Sequence, residues 1–350
     1  RYPDVTRIRQ RLGVLRTGPD KDLEFYEPGD HVAVYPSTNE ASARYFASHF
    51  GINFDDQLEL VPDGADAFVS INDSGIPNPV SADYLFMKIV DINKEPTSEL
   101  LQILAHYVDD DESKKQMLEL SLNEAVRREW IVSTGARISN IFDHFPTLST
   151  IHLADKSTGI ALLESILLKL PKLRARYYSV SSSPQKVGNN VFSLTVGRVT
   201  WRGGYNKRMY LGFYSDFLAT LPLESNVVVK MRPAPSFRLP PETPILMVAG
   251  GTGIAPFKGF VDHLAVAEAG DNRGDAWLIV GCQTKGNQLY RQELEHAAEH
   301  KTLTKYLVGY SHESTEPKRY VDGTYWAFPK SQRCFPILYK TDTFLLQSQS

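Results

Sequence analysis

The residues best equipped for chemistry lie in the run Pro244-Ile-Leu-Met-Val-Ala-Gly-Gly-Thr-Gly-Ile-Ala-Pro-Phe-Lys-Gly-Phe260. An apolar, strand-like stretch meets a glycine loop that opens directly into a helical pattern. Gly250, Gly251 and Gly253 let the backbone turn tightly and bring its amides close to an anion. The helix that follows aims its free N–H groups and positive dipole end at the same point. Pro256 suits the first turn of that helix, where a missing N–H costs nothing. The chemistry on offer is phosphate cradling. The loop is not a G-x-G-x-x-G fingerprint, and glycines after a strand also serve tight turns alone, so both readings stand.

A second group lies upstream. Arg176-Tyr-Tyr-Ser179, running into Val180-Ser-Ser-Ser-Pro184, puts a fixed cation, aromatic rings and a hydroxyl at a strand end. Arginine offers a fork that fits pyrophosphate, tyrosine stacks on a flat conjugated ring, and serine hydrogen-bonds its edge, so the group could clamp a flavin nucleotide. The competing reading is an ordinary half-buried strand with a surface arginine. His296-Ala-Ala-Glu-His300 has a zinc-peptidase spacing, but no third ligand is evident and solvent-exposed histidines are the expectation. The acidic run Asp109-Asp-Asp-Glu112 reads as a solvated loop, and no metal site is expected.

These groups need a scaffold, and 350 residues with 42% hydrophobic content can bury a core for two or three domains. Lysine and arginine number 38 against 41 acidic residues, so no global field favours nucleic acid or anionic membrane. Cys282 and Cys334 are too few for a disulfide framework, which fits a reducing compartment, and a cytoplasmic location is expected. The aliphatic stretch Ile160–Leu170 carries Glu164 and Lys169 and is far too short to span a bilayer; it reads as a buried amphipathic helix. The chain begins at Arg1 without a targeting pattern and is expected to continue upstream.

The N-terminal fifty residues read as antiparallel hairpins, with turn signals at Thr17–Asp20 and Glu27–Asp30. From about Ser81 to Pro171 the texture is helical, with Leu100, Leu101, Leu104 and Tyr107 at helical spacing. Strand character returns over Arg174–Val180, Val191–Trp201 and Asn226–Arg232. After Pro244 comes strand, loop, helix, then strand Ala276–Gly281, helix Gln288–His300 and strand Leu303–Ser311, an alternation that predicts a parallel sheet with helices on its faces. The expected class is multi-domain α+β. A split antiparallel β-barrel (residues 1–60 and 172–240) carries a helical insertion (61–171), a Rossmann-like α/β domain follows (241–321), and a divergent tail ends the chain (322–350).

Tyr26-Glu-Pro-Gly-Asp-His-Val-Ala-Val-Tyr-Pro36, Arg176–Ser179, Gly212-Phe-Tyr-Ser215, Ala234-Pro-Ser-Phe-Arg-Leu-Pro240 and Gly250-Gly-Thr-Gly-Ile-Ala-Pro-Phe257 occur in the order seen in diflavin reductases. The chain resembles the FAD and NADPH module of that family from about Leu23 to Val321. Ala234–Pro240, Phe145-Pro146 and Val180–Pro184 are closer to nitric oxide synthase, whereas Gly29–Pro36 is similar to the microsomal cytochrome reductase.

The resemblance implies that Arg176 and Ser215 hold the FAD pyrophosphate, with Tyr177, Gly212, Phe213 and Tyr214 around them. Tyr178 packs on the isoalloxazine, Ser179 sits near its reactive N5 as the catalytic group, Thr195, Val196 and Gly197 meet the pyrimidine edge, and Trp201 is an aromatic near the FAD. Gly251, Thr252 and Gly253 meet the NADPH phosphates, and Ser311, His312, Lys318, Arg319 and Tyr320 form the adenosine 2′-phosphate pocket. Two family arginines are replaced, by Gln283 and His312, with Lys285, Lys318 and Arg319 nearby. Past Val321 the family's terminal strand motif, with its cysteine and closing aromatic, is missing, and Cys334 reads as a free thiol.

The implied reaction is hydride transfer from NADPH to FAD, then single-electron delivery to an FMN-binding flavodoxin-like domain outside this chain, with a haem oxygenase domain and calmodulin as further partners in a synthase. A microsomal-type reductase and a non-catalytic flavin-binding fragment are the alternatives.

Overall fold

The computed structural model describes residues 7–8, 11–13, 26–59, 77–150, 156–167, 169–189, 191–203, 208–240, 243–266, 274–313, 337–341 and 344–345. The longer elements, in chain order, are β1 (His31–Tyr35), α1 (Glu40–Ser48), α2 (Ser98–Leu104), α3 (Asp111–Leu122), α4 (Glu124–Thr134), α5 (Lys156–Leu167), β2 (Arg176–Ser179), β3 (Thr200–Gly203), β4 (Arg208–Leu211), α6 (Phe213–Thr220), β5 (Val228–Arg232), β6 (Ile245–Gly250), α7 (Ala255–Val266), β7 (Ala276–Cys282), α8 (Arg291–Glu299), β8 (Lys305–Tyr310) and β9 (Ile337–Thr341). They divide into two compact units: Tyr35–Ala175 with Thr200–Phe217, and Arg1–Val34 with Arg176–Val199 and Leu218–Ser350.

The first unit is helical because polar caps start its helices and apolar faces bury them. Asn39, Thr97, Asp110 and Asn123 each accept first-turn backbone N–H groups, of α1, α2, α3 and α4 respectively. Leu100, Leu101 and Leu104 are fully buried on α2, as their spacing predicts, whereas Tyr107 lies just past the helix end and is half-buried. The acidic run is partly helix rather than loop: Asp110 caps α3 while Asp111 and Glu112 occupy its first turn, where carboxylates complement the dipole. Ile160–Leu170 falls largely within α5, which buries Leu162, Leu163 and Ile166 in a core with Phe46, Phe50, Phe86 and Phe142. Also in this unit, β3 and β4 form an antiparallel hairpin that places Trp201 opposite Tyr210.

The second unit holds two kinds of sheet. Strands β5, β1 and β2 form a three-stranded sheet in that order, and the short strands 7–8 and 11–13 pair antiparallel with 196–197 and 191–193. Strands β8, β7, β6 and β9 form a parallel sheet in that order. Their apolar runs alternate between two layers, as the two-residue period of a strand requires. Ile245, Met247, Ala249, Leu278 and Val280 face one cluster, and Leu246, Val248, Trp277 and Ile279 face another.

Both α7 and α8 pack into the first cluster through Phe257, Phe260, Leu294 and Ala297. The expected helices on both faces are therefore on one face among the described residues, because the chain steps β6 to β7 to β8 in one direction and right-handed crossovers keep to one side. Residues 337–341, within the segment that lacks the family's terminal motif, form β9 on the opposite side of β6, with Leu246 beside Ile337 and Val248 beside Tyr339. Strand order thus reverses at β6. Ligands of open parallel sheets bind at such a switch point, beyond the carboxyl ends of the strands.

Candidate functional site

The glycine loop sits at that switch point. β6 ends at Gly250, Gly251–Ile254 make one tight 3-10 turn, and α7 begins at Ala255. A side chain added at Gly250 or Gly251 would meet nothing within 4 Å among the described residues, so these leave the space beside this backbone open. On the next residue, the Thr252 methyl lies 3.3 Å from where a Gly197 side chain would begin. The strand end Thr195–Gly197, expected at a flavin edge, therefore lies against the loop expected at the nucleotide phosphates. A hydrogen bond reinforces the approach: Thr195 Oγ1 and Tyr290 Oη are 2.6 Å apart.

Strand β2 pairs antiparallel with β1, setting Arg176 opposite Val34 and Ser179 opposite His31. Arg176 and Tyr177 are exposed, Tyr177 to 55%, while Tyr178 and Ser179 are half-buried. The strand thus leaves one cation and one aromatic ring accessible. Two residues on, Ser181 Oγ is buried without a hydrogen-bond partner among the described residues.

What holds β2 in place was carried by motifs quoted for resemblance but assigned no role. Asp30 Oδ1 accepts from Arg238 Nη2 at 2.6 Å and from the Ala234 amide at 2.8 Å, and its carbonyl accepts from the Val180 amide at 2.9 Å. Tyr26 Oη shares a 3.0 Å hydrogen bond with Ser182 Oγ and donates to the Val191 carbonyl at 2.9 Å. Gly29 has φ +103°, and any side chain there would sit 2.2 Å from the Phe237 carbonyl oxygen. The Tyr26–Pro36 and Ala234–Pro240 motifs thus brace the strand rather than present chemistry. Buried Asp30 at the head of an apolar strand was the sequence signal for this, since such a carboxylate demands partners.

Gly212–Ser215 stand at the start of α6. Ser215 is buried and its hydroxyl donates to the Gly212 carbonyl at 3.0 Å; Tyr214 Oη donates to the Arg174 carbonyl at 2.8 Å, with the Phe213 and Tyr214 rings 5.2 Å apart. The Ser215 hydroxyl serves the turn, leaving first-turn amides of α6 as the groups suited to an anion.

At the carboxyl rim of the parallel sheet, the Ser311 amide donates to the Cys282 carbonyl at 3.0 Å and the His312 amide to the Gln283 carbonyl at 2.8 Å. Gln283, Ser311 and His312, distant in sequence, are therefore neighbours. Ser311 Oγ lies 2.8 Å from His312 Nδ1, and Lys285 Nζ stands 5.8 Å over the Tyr310 ring. Burial, then the Glu313 charge, push the Cys282 thiol up to about 11, so it stays protonated near neutrality. Burial likewise pushes the Tyr306 hydroxyl up to about 12, where it accepts from Gln288 Nε2 at 2.8 Å. Lys318, Arg319 and Tyr320 lie outside the described residues, as does Cys334. His296 and His300 stack at 3.8 Å on the exposed side of α8, and among the described residues no group of three or more His, Cys, Asp or Glu could hold a metal ion. No described helix is long and apolar enough to cross a membrane.

An open parallel sheet with a glycine loop at its switch point, and the strand end Thr195–Gly197 against that loop, is the arrangement of a dinucleotide-binding protein. Comparison with known proteins gives the class its content. The family described as FAD binding domain matches residues 19–217, and the oxidoreductase NAD-binding domain family matches 247–325. The chain is 31% identical over 317 residues to the nitric oxide synthase-like protein of Bombyx mori, covering 87% of this chain and 28% of that protein. It is 34% identical over 302 residues to a bifunctional cytochrome P450/NADPH–P450 reductase of Bacillus cereus, covering 85% and 27%. With the NADPH–cytochrome P450 reductase of Dictyostelium discoideum it shares 29% over 298 residues, covering 83% and 42%.

The chain belongs to the FAD-binding oxidoreductase family, as an FAD-binding domain followed by an NAD-binding domain in the manner of a diflavin reductase module. It spans roughly a quarter of the length of the first two of these relatives and less than half of the third.

Proposed function

We propose that this module takes hydride from NADPH onto FAD and passes electrons to an FMN-binding domain of the same, longer protein. The observation that carries the reading is the approach of Thr252 to Gly197, which puts the phosphate loop beside the strand end expected at the flavin. When bound, FAD supplies the redox chemistry, accepting two electrons with hydride and releasing them singly.

The chain's own residues do the holding. Arg176 and the first-turn amides of Gly212–Ser215 neutralise pyrophosphate, Tyr178 covers the ring system, and Ser179 offers a hydroxyl to its reacting edge. Thr195, Val196 and Gly197 take the pyrimidine edge, and the resemblance assigns Trp201 to the same cofactor. Exposed Arg176 and Tyr177, and the buried Ser181 hydroxyl that has no hydrogen-bond partner among the described residues, fit such a ligand. Gly251, Thr252 and Gly253 receive the nucleotide phosphates in the open space beside the loop. Ser311, His312, Lys318, Arg319 and Tyr320 receive the 2′-phosphate.

The antiparallel strands close into a barrel over residues 1–60 and 172–240, with a helical insertion over 61–171 and the nucleotide domain from 241. The relatives named for nitric oxide synthase favour a synthase-like parent, with haem domain and calmodulin as partners, and those named for P450 reductase favour a cytochrome partner. A cytoplasmic site of action is part of the same proposal.

Anaerobic addition of NADPH to the FAD-reconstituted chain tests the reading: the flavin absorbance should bleach, and a folded chain that cannot be reconstituted with FAD sinks it. Because Gln283 and His312 stand where the family carries arginines, NADPH should be favoured over NADH only weakly, and His312→Arg should raise the ratio of their bleaching rates several-fold, a fraction of the 1.5–3 kcal/mol typical of charged hydrogen bonds. An unchanged ratio removes His312 from the nucleotide pocket.

A further inference from the structure

The contact between Thr252 and Gly197 does not hold itself. Helix α7, which carries the glycine loop, is seated on the turn after β2 by three independent features. Gly259 lies so close to that turn that a side chain there would come within 3.0 Å of the Ser182 carbonyl. His263 Nδ1 is 3.2 Å from Gln185 Oε1. Asp262, almost fully buried, accepts from Lys258 Nζ with both oxygens at 2.7 Å and from Lys186 Nζ at 2.6 Å. A carboxylate shared by two lysines, one buried with it, leaves no slack: displacing either element would strand a charge away from water.

From the same cluster, Lys258 Nζ stands 5.3 Å from the centroid of the Tyr290 ring, and the Tyr290 hydroxyl reaches Thr195. Tyr290 adopts φ 55°, a left-handed conformation that a bulky aromatic takes only when its surroundings compel it. Backbone strain is retained at a residue that links the nucleotide-domain helices to the strand end Thr195–Gly197.

We infer that Tyr290, backed by the Lys258–Asp262–Lys186 cluster, is a positioning strut that sets how closely the nucleotide loop approaches the flavin-side strand end, and so governs hydride transfer without touching the reacting atoms. This rests on the function proposed above. It deepens that proposal by naming residues that carry neither phosphate nor ring.

Asp262→Ala is a poor probe, since it strands Lys258 and endangers the fold. Tyr290→Phe removes one hydroxyl and keeps ring and backbone. In the FAD-reconstituted chain it should retain FAD and bind NADP+ with unchanged affinity, while flavin bleaching by saturating NADPH slows about tenfold, since near-attack geometry is sensitive to shifts well under 1 Å. Thr195→Val removes the same interaction at a residue that also takes the flavin's pyrimidine edge, so it serves only in a double-mutant cycle: adding Tyr290→Phe to it should slow bleaching no further.

A second readout needs no turnover. The change in flavin visible absorbance on adding NADP+ should shrink in Tyr290→Phe at equal nucleotide occupancy. A wild type that binds FAD but is not bleached defeats the proposed function alone, and the strut is then judged on this spectrum. An undiminished spectral change, no such change in the wild type, additive slowing in the double variant, or slowing that tracks lost FAD or NADP+ affinity overturns the strut.

Discussion

Gly159 in the helical unit and Gly250 at the rim of the parallel sheet are the same residue in opposite surroundings. A side chain at Gly159 would begin 2.6 Å from the Phe50 carbonyl oxygen, whereas one at Gly250 would meet nothing within 4 Å among the described residues. The first glycine exists so that protein can approach protein, letting α5 settle on a core of Phe46, Phe50 and Phe142. The second leaves room that the protein does not fill. The contrast holds for rings as well: in the helical unit Phe46 and Phe50 are buried edge-on with centroids 5.1 Å apart, while β2 leaves Tyr177 exposed. A region packed to exclude everything is scaffold, and one that keeps open backbone and uncovered rings is built to receive.

If that division is right, substitutions should separate stability from binding. The largest effect is expected at the open side. Arg176→Ala should cost about 1.5–3 kcal/mol of FAD affinity, seen as a cofactor-depleted preparation, with the melting temperature of the apo chain barely moved. A fall in apo stability of the same size would mean that Arg176 belongs to the scaffold.

Next in size is Gly159→Ala, which should destabilise by about 1–3 kcal/mol, the usual cost of overpacking, and lower the melting temperature without altering FAD affinity per folded molecule. Gly250→Ala should do the reverse: stability within about 0.5 kcal/mol of wild type, but NADP+ affinity down by about tenfold as the methyl enters the phosphate space. Similar calorimetric and binding profiles for the two variants would erase the distinction.

The smallest effect concerns pH. Hydrogen bonds from the Ser113 amide and then its hydroxyl hold the exposed Asp110 carboxyl below its ordinary range. The folded-state value being the lower one, this stabilisation is present above the unfolded-state pKa and is lost as pH falls through the folded value. Asp110→Asn keeps a capping oxygen but does not titrate, so its stability relative to wild type should improve slightly on acidification below the carboxylate range. Denaturant midpoints at neutral and acidic pH measure this, and a pH-independent difference would show that the charge adds nothing to the cap.

Much of this was legible beforehand for a physical reason. The buried Leu100, Leu101 and Leu104 and the strand–loop–helix at Gly250 are local, written in neighbours a few residues apart. The site was partly legible in the same way, since β2 and the glycine loop each carry their chemistry in consecutive residues. Illegible were the long-range partners. Nothing near Asp30 announces Arg238, and nothing near Thr195 announces Tyr290.

By itself, then, the sequence determined which segments become helix or strand, where backbone amides are free to meet an anion, and which module the chain belongs to. Periodicity, capping and glycine act within a few residues and need no tertiary context. Only the folded structure decided that 337–341 lies beside β6 and makes the glycine loop a switch point, that α7 and α8 share one face, and that Thr252 closes on Gly197. Those outcomes depend on which distant strands pair and which buried charges must be answered. Such choices are settled by loop closure, register and desolvation across the whole fold rather than by any residue's neighbours in the chain.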